Sequence, residues 1–352
     1  MTSCSVSHDQ AATPAPGTAP RGSFWIALEQ NGAWGSKAAV HSHLDPALGQ
    51  RLTDECTARG GTFVLIRRPA AHADVTTPGR QLLVAYAGTS PWLLRATIPH
   101  GSLADLATRL DLDAVQDGDE ARVRHGLPEL RRDGPVLLVC TNGRRDLCCA
   151  VRGRRVALGA AALLAERDVD TRLDSVTGAP EAALPSADGL DADGRLVVWE
   201  SSHLGGHRFA ATGLVLPAGR AVARLDPEMA AALVVEAESG RMPAAALDPR
   251  HDRGATRLMP PAQVAEHAVR MLCRDTAYLG WDAQVTVPSV LSPHPSPGDV
   301  ALVSVRHTDG RAWTVSLSWQ PREPLPESCG KGSVAVGTWS VVAITPERDP
   351  VG

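Results

Sequence analysis

Three cysteines crowd into CTNGRRDLCC, residues 140–149, and two histidines flank a glycine pair in HLGGH, residues 203–207. Thiolate sulfur and neutral imidazole nitrogen are ligands for soft and borderline metals, so the first question is whether the two pieces hold one. The elements that carry them allow them to meet. PVLLVC, ending at Cys140, reads as a short buried strand; CAVRGRRVALGAAALLAER, opening at Cys149, reads as a helix; RLVVWE, just before His203, reads as a second strand. A strand–helix–strand unit has parallel strands whose carboxyl ends share one edge of the sheet, where α/β proteins place their sites. Cys140, Cys149, His203 and His207 should face one another at that edge. Gly205 and Gly206 argue against a helix between the histidines and let the backbone curl.

Two thiolates and two imidazoles suit tetrahedral zinc, or a 2Fe–2S cluster in which imidazoles replace thiolates on one iron. The eight residues between Cys140 and Cys149 exceed the usual two to four between paired zinc cysteines. A cluster spreads its outer ligands further and suits the longer loop. A third chemistry is thiol–disulfide exchange at Cys148 or Cys149, where a helix N-terminus favours thiolate. No C-x-x-C is present, and adjacent cysteines bridge only with strain. Each piece also has a plain structural explanation: buried free cysteines at a helix start, and histidines satisfied by backbone partners.

The surrounding pattern supplies the frame. SFWIALEQ (strand), LDPALGQRLTDECTARG (helix closed by Gly60), TFVLIRRP (strand), the hairpin RQLLVAYAG and PWLLRATI, and the helix GSLADLATRLDL make one βαβ–ββα series. The same order returns from residue 135, with the hairpin ATGLVLPAG and RAVARL and the helix DPEMAAALVVEAESG, capped by Asp226 with Pro227 in its first turn. An α/β chain with two thioredoxin-like βαβ–ββα domains is the reading. Its divisions are a disordered tail at 1–22, a scaffold domain at 23–112, a charged linker at 113–134, a metal-bearing domain at 135–240 and a small α+β domain at 241–352. In the last, PPAQVAEHAVRMLCRD reads as a helix and three segments near 300–345 as strands, with Trp281, Trp313, Trp319 and Trp339 as filler.

Composition excludes several classes. The 352 residues are 43% hydrophobic and 21% charged, enough for real cores, and the net charge of -4 with scattered basic residues leaves no footprint for nucleic acid or an acidic membrane. No run of about 18 apolar residues exists to span a membrane. The first 22 residues lack the basic and apolar regions of a signal peptide. Seven cysteines, an odd number unevenly spread, do not read as a secreted disulfide framework. These observations point to the cytoplasm.

CTNGRRDLCCAVRG and WESSHLGGHRFAATGLVLPAG resemble the signature segments of the sucrase/ferredoxin-like family, whose members are similar to thioredoxin-like 2Fe–2S ferredoxins; WIALEQNGAWGSKA, PAQVAEHAVR and ESCG extend the resemblance. It implies a C-x8-C and H-x3-H ligand set falling on Cys140, Cys149, His203 and His207. It also implies a redox carrier rather than a stand-alone enzyme, served by a partner such as a reductase. Cys148 would then lie outside the ligand set, with Cys4, Cys56, Cys273 and Cys329 dispensable for the cluster. Where the family often carries a cysteine before the first histidine, this chain has Ser201 and Ser202. No carriage of sugar chemistry follows from the family's name, since no carboxylate pair marks a glycosidase. Arg144, Arg145 and Arg208 would raise the potential if they face the cluster. The N-terminal domain, with only His72 in its RRPAAHADVTTPGR loop, reads as scaffold or docking surface, and the acidic stretch 168–194 reads as a solvated loop or a contact for a basic partner.

Overall fold

FWIALE and VLLVC are buried along their whole length, the mark of strands covered on both faces. The computed structural model describes residues 3–71, 73, 79–175, 196–287 and 295–347. In chain order, α1 (Cys4–Gln10) precedes β1 (Phe24–Glu29), α2 (Pro46–Ala58), β2 (Thr62–Arg67), β3 (Gly79–Tyr86) and β4 (Trp92–Pro99). Short helices α3 (Leu106–Arg109), α4 (Leu112–Asp117) and α5 (Glu120–Gly126) and the two-residue β5 (Arg131–Arg132) lead to β6 (Val136–Cys140). Next come α6 (Arg154–Ser175), β7 (Val198–Ser201), β8 (Gly213–Leu216), β9 (Arg220–Val222), α7 (Pro227–Glu238) and β10 (Asp252–Ala255). The chain continues through α8 (Pro260–Cys273), β11 (Trp281–Val287), β12 (Val300–His307), β13 (Ala312–Pro321), the small hairpin β14 (Leu325–Pro326) and β15 (Ser333–Val334), and β16 (Gly337–Pro346).

The first ten strands form one large curled mixed sheet, in the order β10-β9-β8-β6-β7-β2-β1-β3-β4-β5. Each half repeats one pattern. β1 lies parallel to β2 and antiparallel to β3, and β6 lies parallel to β7 and antiparallel to β8. The halves join where β2 and β7 run antiparallel, pairing Ile66 with Ser201 and Arg67 with Glu200. The period of two sorts the side chains: Phe24, Ile26 and Leu28 enter a core with α2 on one face, while Trp25 and Ala27 join Leu138, Cys140, Cys149 and Trp199 on the other. Asp45 and Asp226 cap α2 and α7 through bonds of 2.8 and 2.7 Å from Leu48 N and Met229 N, each with a proline in the first turn.

Several expected boundaries differ. The tail expected to be disordered begins with α1, whose Cys4 is buried, because Asp9 pairs with Arg152 and Arg224 at 2.6 and 2.7 Å and fixes the helix on the second half. The expected linker 113–134 carries most of α4, α5 and β5, and Val115, Val123, Leu127 and Leu130 belong to the first core. The expected 101–112 helix is broken into a 3-10 turn and the four-residue α3. Beyond residue 241, β10 pairs with β9 and extends the main sheet, so the C-terminal region is not a wholly separate sheet. Its antiparallel sheet β11-β12-β13-β16 packs on α8 with Trp281, Trp313 and Trp339 in the core. Among the described residues no helix is long and apolar enough to cross a membrane. His72 and residues 176–194 of the acidic stretch lie outside the described residues.

Candidate metal centre

β6 ends on Cys140 and β7 on Ser201, and the parallel register sets these two residues side by side. The cysteine loop leaves the first strand end and the histidine loop the second. Asn142 folds the cysteine loop: its carbonyl accepts from the N–H groups of Arg145 and Asp146, and its side-chain amide donates to the Gly35 carbonyl at 3.0 Å. Cys149–Gly153 then forms a π-helical turn that runs into α6. Gly153 is required here, because a Cβ would lie 2.0 Å from the Cys140 carbonyl oxygen. Across from it, Gly205 and Gly206 take φ of 67° and 71°, left-handed values that curl the histidine loop.

These elements set Cys140 beside both Cys149 and His203. The His203 and His207 rings lie 6.0 Å apart between centroids. The contact from Cys149 holds the Cys140 thiol well below its usual range; burial opposes this, and His203 and the Leu204 N–H assist it. The same contact, with burial, pushes the Cys149 thiol up. Burial lowers His207, keeping its ring neutral. The Nδ1 atoms of both histidines are buried with no hydrogen-bond partner. An orphaned buried polar atom costs about 1–3 kcal/mol, so a group that accepts a ligand from these rings fits the site.

Three arginines would raise the potential only by facing this group. Arg144 and Arg145 are exposed, and Arg208 pairs with Glu327 at 2.9 Å. The buried cation against the histidine loop is Arg253, which donates to the Gly205 carbonyl at 3.2 Å. Ser201 and Ser202 divide their roles: Ser202 Oγ accepts from Leu65 N at 3.0 Å across the seam between the halves, while Ser201 Oγ is buried without a partner.

A second group lies beside the first. Cys4, Asp146, Cys148 and Cys329 have ligand atoms all within 4.8 Å of one another and could hold a metal. The Sγ atoms of Cys148 and Cys329 are 3.1 Å apart, and Cys4 lies 3.5 and 3.6 Å from each. Burial raises Asp146, but N–H groups of Cys329 and Cys148 and the Ser328 hydroxyl outweigh it and hold the carboxyl below its usual range. Burial and the two neighbouring cysteines push the Cys4 thiol up. Cys148, expected outside the cluster's ligand set, belongs to this group. So do Cys4 and Cys329, which no spacing in the sequence ties to it.

Cysteine and histidine side chains gathered at strand ends of a mixed sheet, beside a Cys/Asp group that could hold a metal, define an α/β protein with a candidate metal centre. A family model described as sucrase/ferredoxin-like matches residues 33–247, and the chain belongs to that family. No curated protein and no solved structure matches the chain. The matched span contains Cys140, Asp146, Cys148, Cys149, His203 and His207 and leaves Cys4 and Cys329 outside.

Proposed function

We propose that the chain is a cytoplasmic electron carrier whose second half is a thioredoxin-like unit holding a 2Fe–2S cluster through Cys140, Cys149, His203 and His207. The observation that carries the reading is the pair of orphaned, buried Nδ1 atoms of His203 and His207 beside the Cys140–Cys149 pair. The strand order β9-β8-β6-β7 with its βαβ–ββα sequence supports the fold assignment. Family membership supports the cluster.

When bound, such a cluster supplies one reversible electron. The chain's own residues set how readily it is taken up. Neutral imidazoles in place of two thiolates remove negative charge and raise the potential toward the range of Rieske centres, roughly -150 to +300 mV. Arg253, buried behind the histidine loop, acts in the same direction. Leu147 and Val151, exposed on either side of Cys148 and Cys149, offer an apolar contact for a redox partner such as a reductase.

Iron and acid-labile sulfide analysis of anaerobically purified protein tests the reading, with about two of each per chain expected. A colourless protein with zinc in this site and no sulfide overturns it. Each ring keeps one nitrogen for a proton that reduction holds more tightly. The potential should therefore fall as pH rises above the oxidised-state ring pKa values, by about 59 mV per unit for each proton. Independence of pH between roughly 6 and 10 removes the histidines from the ligand set.

A further inference from the structure

We propose that Cys4, Cys148 and Cys329, with Asp146, form a second metal site, a structural zinc centre that ties α1 and the β14–β15 hairpin to the loop carrying Cys149. Three sulfurs that meet at 3.1, 3.5 and 3.6 Å come from positions 181, 144 and 325 residues apart respectively. Such convergence is costly in chain entropy, and thiols alone return little for it, because S–H is a weak donor. Disulfide formation does not account for the trio either. A bridge needs sulfurs at about 2.05 Å and joins two of three, leaving one stranded. A zinc ion uses all of them. Tetrahedral Zn–S bonds of about 2.3 Å place sulfurs about 3.8 Å apart, within a few tenths of an ångström of two of the three separations.

Asp146 completes the set. Its Oδ1 accepts from Cys148 N and its Oδ2 from Cys329 N and the Ser328 hydroxyl, all at 2.9 Å, so one carboxylate braces both cysteine loops. The same oxygens lie 4.0 and 3.9 Å from Cys4 Sγ, and Oδ1, with a single N–H donor, keeps a lone pair for an ion. Three thiolates and a carboxylate select a thiophilic ion that accepts mixed sulfur and oxygen in four-coordination, which fits zinc better than trigonal copper(I). Cys148 and Cys149 thus divide between two centres: Cys149 points to the Cys140–His203 group and Cys148 to the zinc group. The proposal goes beyond the iron–sulfur reading and stands or falls separately from it.

The test is zinc and iron counted separately by mass spectrometry on purified full-length protein and on Cys4→Ser, Cys329→Ser and Cys140→Ser. The expected result is about one zinc per wild-type chain, a tenfold or greater loss of zinc in Cys4→Ser and Cys329→Ser with iron unchanged, and zinc retained in Cys140→Ser. Because a serine variant can fail for lack of folding, cobalt(II) is also titrated into wild-type protein stripped of zinc. Thiolate-to-cobalt charge-transfer and tetrahedral d–d bands support the site, and their absence overturns it. Zinc retained in both Cys4→Ser and Cys329→Ser overturns it, as does loss of iron in those variants. A Cys148–Cys329 disulfide in protein alkylated before reduction also overturns it.

Discussion

The two halves of the main sheet are built alike and furnished differently. Both run strand, helix, parallel strand and antiparallel hairpin. At the carboxyl edge of the first half, β1 ends in Glu29, which accepts from Gln81 N at 3.0 Å and pairs with Arg68 at 3.6 Å, and Gln30 accepts from Arg80. Those charges close on one another. The corresponding edge of the second half carries thiols and two imidazoles with orphaned nitrogens. Topology supplies an edge, and the loop residues decide what it does. The first half is nonetheless part of the site's wall. Its Arg67 pairs with Glu200 at 2.8 Å in the interior, and Glu200 also accepts from Thr141 Oγ1 at 2.8 Å, one residue past Cys140.

The comparison can be broken first by cysteine exchange. Cys140→Ser should abolish bound iron altogether, whereas Cys56→Ser, in the buried face of α2 on the other half, should leave iron content intact; iron loss in both would mean that the halves are not chemically distinct. The next largest effect concerns the outer edge that distinguishes the second half. There Arg220 lies buried between Asp252 and Glu266, with Arg270 on Glu266 and His267 on Asp252 at 2.7 Å. Arg220→Met leaves buried carboxylates without their main cation and should cost about 3–5 kcal/mol in denaturant unfolding. Burial raises both carboxyls but their cations outweigh it, so Asp252 and Glu266 are held below their usual range. Depressed folded values stabilise above the unfolded carboxyl pKa of about 4 and lose that contribution as pH falls through the folded values. Acid unfolding of Arg220→Met should accordingly begin at higher pH than in the wild type.

The finest distinction uses two glycines. A Cβ at Gly49 would lie 1.8 Å from the Ala39 carbonyl oxygen, and one at Gly153 would lie 2.0 Å from that of Cys140. Gly49→Ala and Gly153→Ala should each lose about 1–3 kcal/mol of stability. Only Gly153→Ala should also lower iron content, since it alone moves the cysteine loop. Equal iron in the two variants would show that the helix approach at Gly153 does not position the site.

What the sequence disclosed follows from where its signals are local. Apolar runs such as VLLVC and VWES, and the Asp226–Pro227 cap, announce β6, β7 and α7 because burial pattern and capping chemistry act within a few residues. The strand-end placement of the cysteine and histidine loops follows from the parallel pairing of β6 and β7. Other features had no local signal. The seven-residue α1 has no apolar periodicity and is held by Asp9 contacts to residues more than 140 positions away. Arg253, in HDRGATR, gives no hint that it lies against Gly205. Counting cysteines by spacing separated Cys4 and Cys329 from Cys148, although the fold sets their sulfurs within 3.6 Å.

That separation along the chain also orders events in time. Cys329 emerges from the ribosome 325 positions after Cys4. At about 5–20 residues per second, roughly a quarter of a minute to a minute passes between them. From the emergence of Cys148 until that of Cys329, Cys4 and Cys148 lack their third sulfur, while Cys140, Cys149, His203 and His207 are all present once residue 207 has emerged. The nascent protein can thus complete its Cys140–His207 constellation before Cys329 arrives to join Cys4 and Cys148.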